Sequence, residues 1–510
     1  MLSRKRVLVI GLDGATFDLL DPLMRAGVMP HVQRLVETGC SGPLQSTVPP
    51  VTAPAWASFQ TGTNPGKHGL VDFLRYRPGS YEPALTDARA IRGQTLWRQL
   101  SRHGQRVCTL NVPLTYPPQA VNGYVVSGLL TPSVDSDFTY PQDLQERLLC
   151  HLPDYAIAPV LPRDVLELGV GGFVEGLIDV MRKRMHAAEW LLGQEVWDFF
   201  MVHFQATDFL QHVLWDRLDP AAPSFAQHSK QEQRLVRQFY HDLDQAIGRL
   251  IRAARNSTIM IMSDHGFGSA LRRVYLNRWL VDQDYLALNA SKTWLQAQAS
   301  LERLMKKADV LNLRNRILPK DFKRGRGQLI RKVTQAPWID WDHTRAFVFS
   351  GSTFGHLYVN LAGRERSGVV PECDYEALRC ELIDSLQAMT DPDTGRPVVE
   401  RVYRKEEVFS GPMLRELPDL IVRPHGGYLL ETRFSGTKRF GELPKHITGL
   451  HRMDGIYILS GDDIVAQHQP QEAEITDLMP TILHLLGVPV PAGVDGRVLS
   501  VFGQPPLQPS

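Results

Sequence analysis

The regular alternation of short apolar segments with longer amphipathic segments is the feature that most constrains the fold of this chain. The apolar segments are five to eight residues long and rich in β-branched residues, which is typical of buried strands. They lie at residues 5–12, 105–112, 123–128, 197–204, 257–263, 345–349, 356–360, 418–423 and 455–460. Helical patterns separate many of them, for example at 30–38, 94–103, 173–195 and 229–254. This order predicts an α/β fold in which helices cover both faces of a mostly parallel sheet.

Composition and charge exclude several classes of protein. Of the 510 residues, 43% are hydrophobic and 22% are charged, as in ordinary globular proteins. A net charge of +1 at pH 7 gives no strong overall field for binding nucleic acid. The five cysteines include no Cys-x-x-Cys pair, which indicates reduced thiols and predicts a cytoplasmic protein.

The amino terminus is basic and then apolar, so that it resembles the start of a signal peptide. Its apolar run, at 7–12, ends at Asp13, and no small-residue cleavage site follows. No uncharged apolar stretch reaches the ~18 residues that a membrane span needs. We therefore expect a soluble protein that has neither a membrane nor a nucleic acid as a partner.

Polar side chains follow two of the predicted strands directly. Asp13 comes after the strand at 5–12, and Asp264 and His265 come after the strand at 257–263. In mostly parallel sheets, ligands bind beyond the carboxyl ends of the strands. An adjacent Asp-His pair at such a position suits a metal ion, although a turn carboxylate or a helix cap explains either site alone equally well.

Two further groups carry metal-ligand side chains. Asp208 and His212 follow the strand at 197–204, and their i, i+4 spacing puts them on one face of a helix, where one cation can take both. His451 precedes the strand at 455–460. A lone histidine is more often structural than a ligand, so each of these signals is weak by itself.

Thr52 stands at the end of a proline-rich, extended approach to a predicted helix at 54–61. Pro54 suits the first turn of this helix. A hydroxyl at a helix N-terminus lies where backbone N–H groups and the helix dipole favour an anion. Thr is also a common N-cap residue, and the two roles are compatible.

The joint occurrence of these motifs resembles a known family. In chain order they are Gly-Leu-Asp13-Gly, the Thr52 segment ending Thr-Gly-x-x-Pro-x-x-His-Gly, Thr-Asp208-x-x-x-His212, Ser-Asp264-His265-Gly and Gly-x-His451. They look like the alkaline phosphatase superfamily, in the branch of type I phosphodiesterases and nucleotide pyrophosphatases. Within that branch, the chain is most similar to the predicted phosphohydrolase/phosphomutase group. The closing segment, at 475–491 and 494–496, is similar as well.

The resemblance implies a fold and a site. The fold would be the three-layer alkaline-phosphatase-like fold, with residues 1–279 and 343–510 as the catalytic core. One metal ion would be held by Asp208, His212 and His451, and Thr52 would be the nucleophile. A second metal ion would be held by Asp13, Asp264 and His265, with Thr52 bridging toward it. Three imidazoles among the ligands favour Zn²⁺, although mutase relatives use Mn²⁺.

The charge of this implied site balances. Two divalent cations carry four positive charges, and Asp13, Asp208 and Asp264 carry three negative ones. Ionisation of Thr52 brings the sum to zero, and a coordinating cation lowers the pKa of a bound hydroxyl by many units. Cations rather than a histidine base would therefore activate Thr52.

The resemblance predicts a hydrolase of phosphate esters that acts through a covalent phospho-threonine. The alternative is a phosphomutase or phosphotransferase with the same machinery, in which a second hydroxyl replaces water. A sulfatase is disfavoured because that branch needs a Cys or Ser where this chain has Thr52. A binding protein with a decayed site is disfavoured by the complete ligand set. The chain departs from the nucleotide pyrophosphatases at Ala55 and Trp56, where those enzymes have an Asn-His pair.

Residues 280–342 are predicted to form a basic helical insertion on the core. Between Lys292 and Lys332 there are twelve Lys or Arg and three acidic residues. Such a segment is either a solvated surface patch or a cap that attracts an anionic substrate.

Overall fold

The computed structural model describes residues 5–158, 165–289, 338–351, 353–434, 438–466 and 472–502. The basic stretch between Lys292 and Lys332 lies outside the described residues, so the predicted insertion remains a prediction. Among the described residues, no helix combines the length and the apolar character that a membrane span requires.

A nine-stranded sheet forms the centre of the molecule. Its strands are β1 (Val7–Leu12), β2 (Cys40–Gln45), β5 (Val107–Leu110), β6 (Gly123–Val126), β7 (Thr139–Tyr140), β8 (Phe199–Phe204), β9 (Thr258–Met262), β19 (Asp454–Ser460) and β20 (Ala473–Glu474). The order across the sheet is β20-β2-β19-β9-β1-β8-β5-β6-β7. The strands from β9 to β6 are parallel, and β19 and β7 join antiparallel. The predicted mostly parallel sheet is therefore confirmed.

Helices cover both faces of this sheet, as the apolar strands require. Leu8, Ile10 and Leu12 of β1 belong to one core, and Val7 and Val9 belong to the other, because successive side chains point to opposite faces. The helices of the first core are α1 (Phe17–Arg25), α2 (Pro30–Thr38), α6 (Asp143–His151), α7 (Val165–Leu192), α8 (Ala206–Leu214) and α9 (Lys230–Ala253). Those of the second are α3 (Thr52–Thr61), α5 (Leu96–Arg102) and α13 (Leu478–Leu485).

A second, antiparallel sheet has its own hydrophobic core. Its strands, in spatial order, are β12 (Ala346–Gly351), β13 (Gly355–Val359), β15 (Leu420–Pro424) and β14 (Val399–Arg404). The helices α10 (Leu276–Asp282) and α11 (Tyr375–Gln387) contribute to the same core. Three of the strands predicted from apolar runs, at 345–349, 356–360 and 418–423, thus belong to this sheet and not to the central one.

Several short strands and helices lie outside the two main sheets and their covering helices. They are β3 (Leu74–Arg75), β4 (Ala84–Leu85), β10 (Gly266–Ser269), β11 (Arg272–Tyr275), β16 (Tyr428–Glu431), β17 (Phe440–Gly441), β18 (Gly449–Arg452), α4 (Pro65–His68) and α12 (Lys405–Val408). Among them, β10 and β18 form an antiparallel pair beside the edge where the central parallel strands end.

Candidate metal centre

The carboxyl ends of three neighbouring strands bring polar side chains together at one edge of the central sheet. Asp13 follows β1 directly, and Asp264 and His265 follow β9. Asp208 lies in the first turn of α8, which begins just after β8. Because β8 and β9 pair in parallel with the two sides of β1, these side chains converge.

His451 reaches the same place from β18. This strand pairs with β10, the strand that follows His265, so that Phe267 lies opposite His451. The residue before β18 is hydrogen-bonded to α8, since the amide of Thr448 donates to the carbonyl of His212 at 2.8 Å. The structure therefore brings together every site residue that the sequence predicts: Asp13, Thr52, Asp208, His212, Asp264, His265 and His451.

The first cluster consists of Asp208, His212 and His451. Asp208 Oδ1 lies 3.4 Å from His212 Nε2 and 3.2 Å from His451 Nε2. The two Nε2 atoms are 2.9 Å apart. Three potential ligand atoms thus face one another at the spacing found around a small metal ion.

The second cluster has His265 at its centre. His265 Nε2 lies 3.5 Å from Asp13 Oδ1, 3.3 Å from Asp264 Oδ2 and 3.3 Å from Thr52 Oγ1. The His265 ring stacks on His451 with centroids 3.6 Å apart, so the two clusters adjoin. His265 also groups with Asp208 and His451 within 4.8 Å, which puts it between the clusters.

The three histidines share one orientation. Nδ1 faces a backbone carbonyl in each case: His212 at 3.1 Å from Gly449 O, His265 at 3.2 Å from Gly266 O, and His451 at 3.0 Å from Pro50 O. If Nδ1–H donates to that carbonyl, the lone pair of Nε2 is left facing the cluster. This is the arrangement by which proteins orient histidines toward a metal ion.

Buried oxygens without a donor supply a test of whether cations fit here. Asp13 Oδ1, Asp208 Oδ1 and Asp264 Oδ2 are fully buried, and no described residue donates a hydrogen bond to any of them. The Nε2 lone pairs of His212 and His451 would also face each other at 2.9 Å. Leaving such groups uncompensated is costly in free energy, and cations would compensate all of them. These oxygen and nitrogen atoms are therefore suited to bind metal ions.

The protonation equilibria of the site reflect the same buried charge. Burial raises the pKa of Asp13 well above its ordinary value, and the negative charges of Asp264 and Asp208 raise it further. Burial raises the pKa of Asp264 to about 7. Burial lowers the pKa of the His265 imidazole well below its ordinary value, so this ring is kept neutral, as a metal ligand must be.

Thr52 is the first residue of α3 and not its N-cap. The N-cap is Val51, and the predicted helix at 54–61 begins two residues earlier than the pattern indicated. Every residue of α3 is buried, and Thr52 is only 4% exposed. Because its hydroxyl is not used to cap the helix, Thr52 Oγ1 is directed to the second cluster, 3.3 Å from His265 Nε2.

Supporting contacts connect the two clusters, and the sequence motifs did not reveal them. Thr207 Oγ1 donates to Asp13 O at 2.6 Å, and Gln211 Nε2 donates to Gly14 O at 2.9 Å. His203, in β8, contacts Asp13 Oδ2 at 2.9 Å. The only signal for His203 in the sequence is one imidazole in the otherwise apolar strand Phe-Phe-Met-Val-His-Phe.

Solved structures share this fold over nearly the whole chain. The phosphonoacetate hydrolase of Sinorhizobium meliloti 1021, in complex with phosphonoformate, has a TM-score of 0.60 at 15% identity, covering 95% of this chain and 96% of that chain. Murine ectonucleotide pyrophosphatase/phosphodiesterase 5, as an inactive threonine-to-alanine variant in complex with AMP, has a TM-score of 0.53 at 13% identity, covering 95% of both chains. The human form of that protein gives 0.52 at 15% identity, covering 95% of each.

Sequence comparison gives the family. No curated protein sequence matches the chain significantly. The family model of the type I phosphodiesterases and nucleotide pyrophosphatases, however, matches residues 7–454, which include all seven converging residues. The chain therefore belongs to the type I phosphodiesterase/nucleotide pyrophosphatase family and has the fold of the alkaline phosphatase superfamily.

Proposed function

We propose that the protein hydrolyses phosphate esters with two divalent metal ions and a covalent phospho-threonine at Thr52. The observation that carries the proposal is the position of Thr52 Oγ1, 3.3 Å from Nε2 of His265, the residue shared by two groups of potential metal ligands. Membership of a family named for phosphodiester and pyrophosphate cleavage supports the reaction class.

The chain supplies six ligand side chains besides Thr52. Asp208, His212 and His451 would hold one cation. Asp13, Asp264 and His265 would hold the second. Three histidines favour Zn²⁺ over Mg²⁺, with Mn²⁺ as the alternative. When bound, the cations would lower the pKa of the Thr52 hydroxyl and offset the charge of the phosphate group.

The residues of the chain hold the nucleophile in place for an in-line displacement. Thr52 is buried at the start of a buried helix, so its side chain has little freedom to turn away. Thr52 Oγ would form a bond to phosphorus while the bond to the leaving oxygen breaks and that oxygen keeps the electron pair. Attack of water on the phospho-threonine would then restore the hydroxyl. It would release phosphate from a monoester substrate and a phosphate monoester from a diester substrate.

The first turn of α3 also supplies hydrogen-bond donors for the phosphate. The first backbone bond of this helix runs from Ala55 N to Val51 O, so the amides of Thr52 and Ala53 precede the helical ladder. Such amides, together with the helix dipole, favour an anion at this end. They are our proposed phosphate donors in a chain that has Ala55 and Trp56 in place of the Asn-His pair.

The proposal is tested by a screen of phosphate esters on metal-reconstituted protein. The substrates are an aryl monoester, an aryl diester and a dinucleotide, with the C–P compound phosphonoacetate as a comparison that is not an ester, each with Zn²⁺ or Mn²⁺ and with excess chelator. We expect metal-dependent cleavage of at least one ester, and its loss in Thr52→Ala. Thr61→Ala is the matched control, because Thr61 is a buried threonine at the other end of α3 whose hydroxyl donates to Ala57 O.

Two results would contradict the proposal. One is full activity in the presence of chelator, and the other is near-normal turnover in Thr52→Ala. Phosphoryl transfer to an added alcohol in preference to water would instead identify a phosphotransferase that uses the same site. Free phosphate and the phosphorylated alcohol are both measured to distinguish these outcomes.

A further inference from the structure

His203 is a buried imidazole beside the candidate metal centre that the proposed chemistry does not use. It lies in β8, directly opposite Gly11 of β1, and is 1% exposed. Its Nε2 lies 2.9 Å from Asp13 Oδ2, and its Nδ1 lies 3.2 Å from the carbonyl oxygen of Asn111. An ionised Asp13 carboxylate can only accept hydrogen bonds, so the Nε2–H of His203 donates to it; Nδ1 of this neutral ring then has no proton, and its approach to Asn111 O is a packing contact and not a hydrogen bond.

Neighbouring groups pack against the ring of His203 and restrict its position. The edge of the Trp56 indole meets the ring at a centroid distance of 4.8 Å and an angle of 81°. Gly11 provides the space for both rings, because a Cβ there would lie 2.7 Å from the indole and 3.3 Å from His203 Cδ2. The segment that faces Nδ1 is held as well, since Asn111 accepts a hydrogen bond from the Tyr155 hydroxyl at 2.6 Å.

The two carboxylates of the second cluster are supported in the same way. Asp264 Oδ1 accepts a hydrogen bond from Gly14 N at 3.2 Å, and its Oδ2 is left to face His265. Asp13 Oδ2 accepts from His203, and its Oδ1 is left to face His265. In each residue, one oxygen is anchored by the chain and the other is presented to the cluster. Anchored ligands of this kind bind metal ions more tightly than free ones.

We propose that His203 is a positioning residue that holds Asp13 in the orientation needed for the second metal ion. This inference rests on the proposed two-metal function. His203 would then affect metal affinity at the cluster of Asp13, Asp264 and His265 and would not affect it at the cluster of Asp208. If His203 only filled space in the core, its substitution would change metal affinity equally at the two clusters.

Substitutions at His203 separate positioning from packing. In His203→Gln the amide nitrogen reaches about as far as Nε2 and can still donate to Asp13. In His203→Asn it reaches only about as far as Nδ1, which leaves Asp13 Oδ2 without its donor. Both variants are polar and uncharged, so they differ chiefly in reach. His356→Asn is the control for altering a buried histidine, since His356 lies in β13 and hydrogen-bonds Ser350.

The measurement is the affinity for Zn²⁺ and Mn²⁺, by competition with a chromogenic chelator, in two backgrounds that each keep one cluster. Asp208→Ala leaves the second cluster, and Asp264→Ala leaves the first. We expect His203→Asn to weaken binding by about 10- to 100-fold in the Asp208→Ala background, and by less than about threefold in the Asp264→Ala background. His203→Gln should restore most of the affinity, and His356→Asn should change neither.

The outcomes distinguish the inference from the proposed function. Equal affinity of the Gln and Asn variants in the Asp208→Ala background would overturn the role of His203. So would equal losses in the two backgrounds. Absence of metal binding in both backgrounds, with His203 intact, would overturn the two-metal proposal itself. Thermal unfolding of the metal-free variants is followed in parallel. If His203→Asn does not fold, the role of His203 is decided by comparing the metal affinity of His203→Gln with that of the parent.

Discussion

At the scale of single residues, the site depends on carboxylates and imidazoles that are buried, except that His212 is partly exposed. Asp13 and Asp264 are fully buried, and each leaves one oxygen without a donor from the described residues. Water cannot compensate charge at such positions, so the charge must be offset within the site. The residue-scale predictions follow from which cluster each carboxylate belongs to.

Removal of one carboxylate from each cluster should remove one metal ion. We expect Asp208→Ala and Asp264→Ala each to retain a single metal ion per chain and to lose turnover by several orders of magnitude. The reason is that two cations are needed to clamp the attacking and the leaving oxygen. Metal content is measured by elemental analysis after dialysis. Asp244→Ala, which removes a buried carboxylate that accepts from the amides at the start of α2, is the control and should keep both ions.

Buried histidines away from the site should make stability depend on pH. Burial lowers the pKa of His68 to about 3, and its ring contacts Ser58 Oγ at 2.9 Å. Below about pH 6.5 the unfolded chain therefore binds a proton that the folded chain does not bind, so the free energy of unfolding falls as the pH decreases. The loss due to His68 is about 2 kcal/mol by about pH 5.

Urea unfolding of wild type and His68→Asn at about pH 7.5 and about pH 5 measures this contribution. The Asn side chain can still accept from Leu70 N, as His68 Nδ1 does. The variant should lose less stability between the two pH values than the wild type. An identical pH dependence of the two proteins would show that His68 does not titrate as its burial predicts.

At the scale of elements, α8 joins the two clusters. Thr207 and Gln211 bond to the turn that follows β1, and Asp208 and His212 are the next residues along the helix. This short helix therefore carries two candidate ligands of the first cluster, Asp208 and His212, and also bonds to the turn that carries Asp13. We expect this attachment to hold the two clusters at a constant separation.

Loosening α8 should impair the site without unfolding the protein. We expect Gln211→Leu to lower turnover by about tenfold or more, because the bond from Nε2 to Gly14 O is lost and α8 can shift against the β1 turn. Its midpoint of thermal unfolding should change far less than its turnover. Gln99→Leu, a change at a buried glutamine in α5, is the control. Unchanged turnover in Gln211→Leu would show that the attachment is not needed.

At the scale of the whole molecule, the central sheet could be predicted because its strands are apolar on both faces. The runs at 5–12, 197–204 and 257–263 correspond to β1, β8 and β9, and each is followed by site residues. Apolar runs do not specify which strands pair, so the antiparallel sheet of β12 to β15 could not be separated from the central one. The strand β18, with the sequence Gly-Leu-His-Arg, has a single apolar side chain and therefore forms no apolar run.

The sequence predicts the side chains that converge at the candidate site, and it does not predict the residues that support them. The ligands stand in motifs that resemble a family, whereas His203 matters only through the pairing of β8 with β1, which places it beside Asp13. Gln211 and Trp56 likewise act through neighbours that are distant in sequence. Their roles follow from strand order and register, which the local sequence does not encode.

The basic stretch between Lys292 and Lys332 gives a prediction for the whole molecule. Its positive charge should concentrate an anionic substrate near the protein, an effect that salt weakens. Neutral substitution of Lys323, Arg324 and Arg326 should raise KM for a bulky, multiply charged ester and leave turnover of a small aryl ester unchanged. Parallel losses on both substrates would indicate a role in the fold, and no change on either would indicate a solvated surface.

The most direct test of the account is whether phosphate becomes attached to Thr52. Metal-loaded protein is mixed with a cleavable phosphate ester, quenched in acid within the first turnover, digested and examined by mass spectrometry. We predict phosphate on the peptide that contains Thr52, its absence in Thr52→Ala, and its presence in Thr61→Ala. Turnover of the ester with no phosphorylated Thr52, under conditions in which an added phosphothreonine peptide survives the quench, would contradict the account.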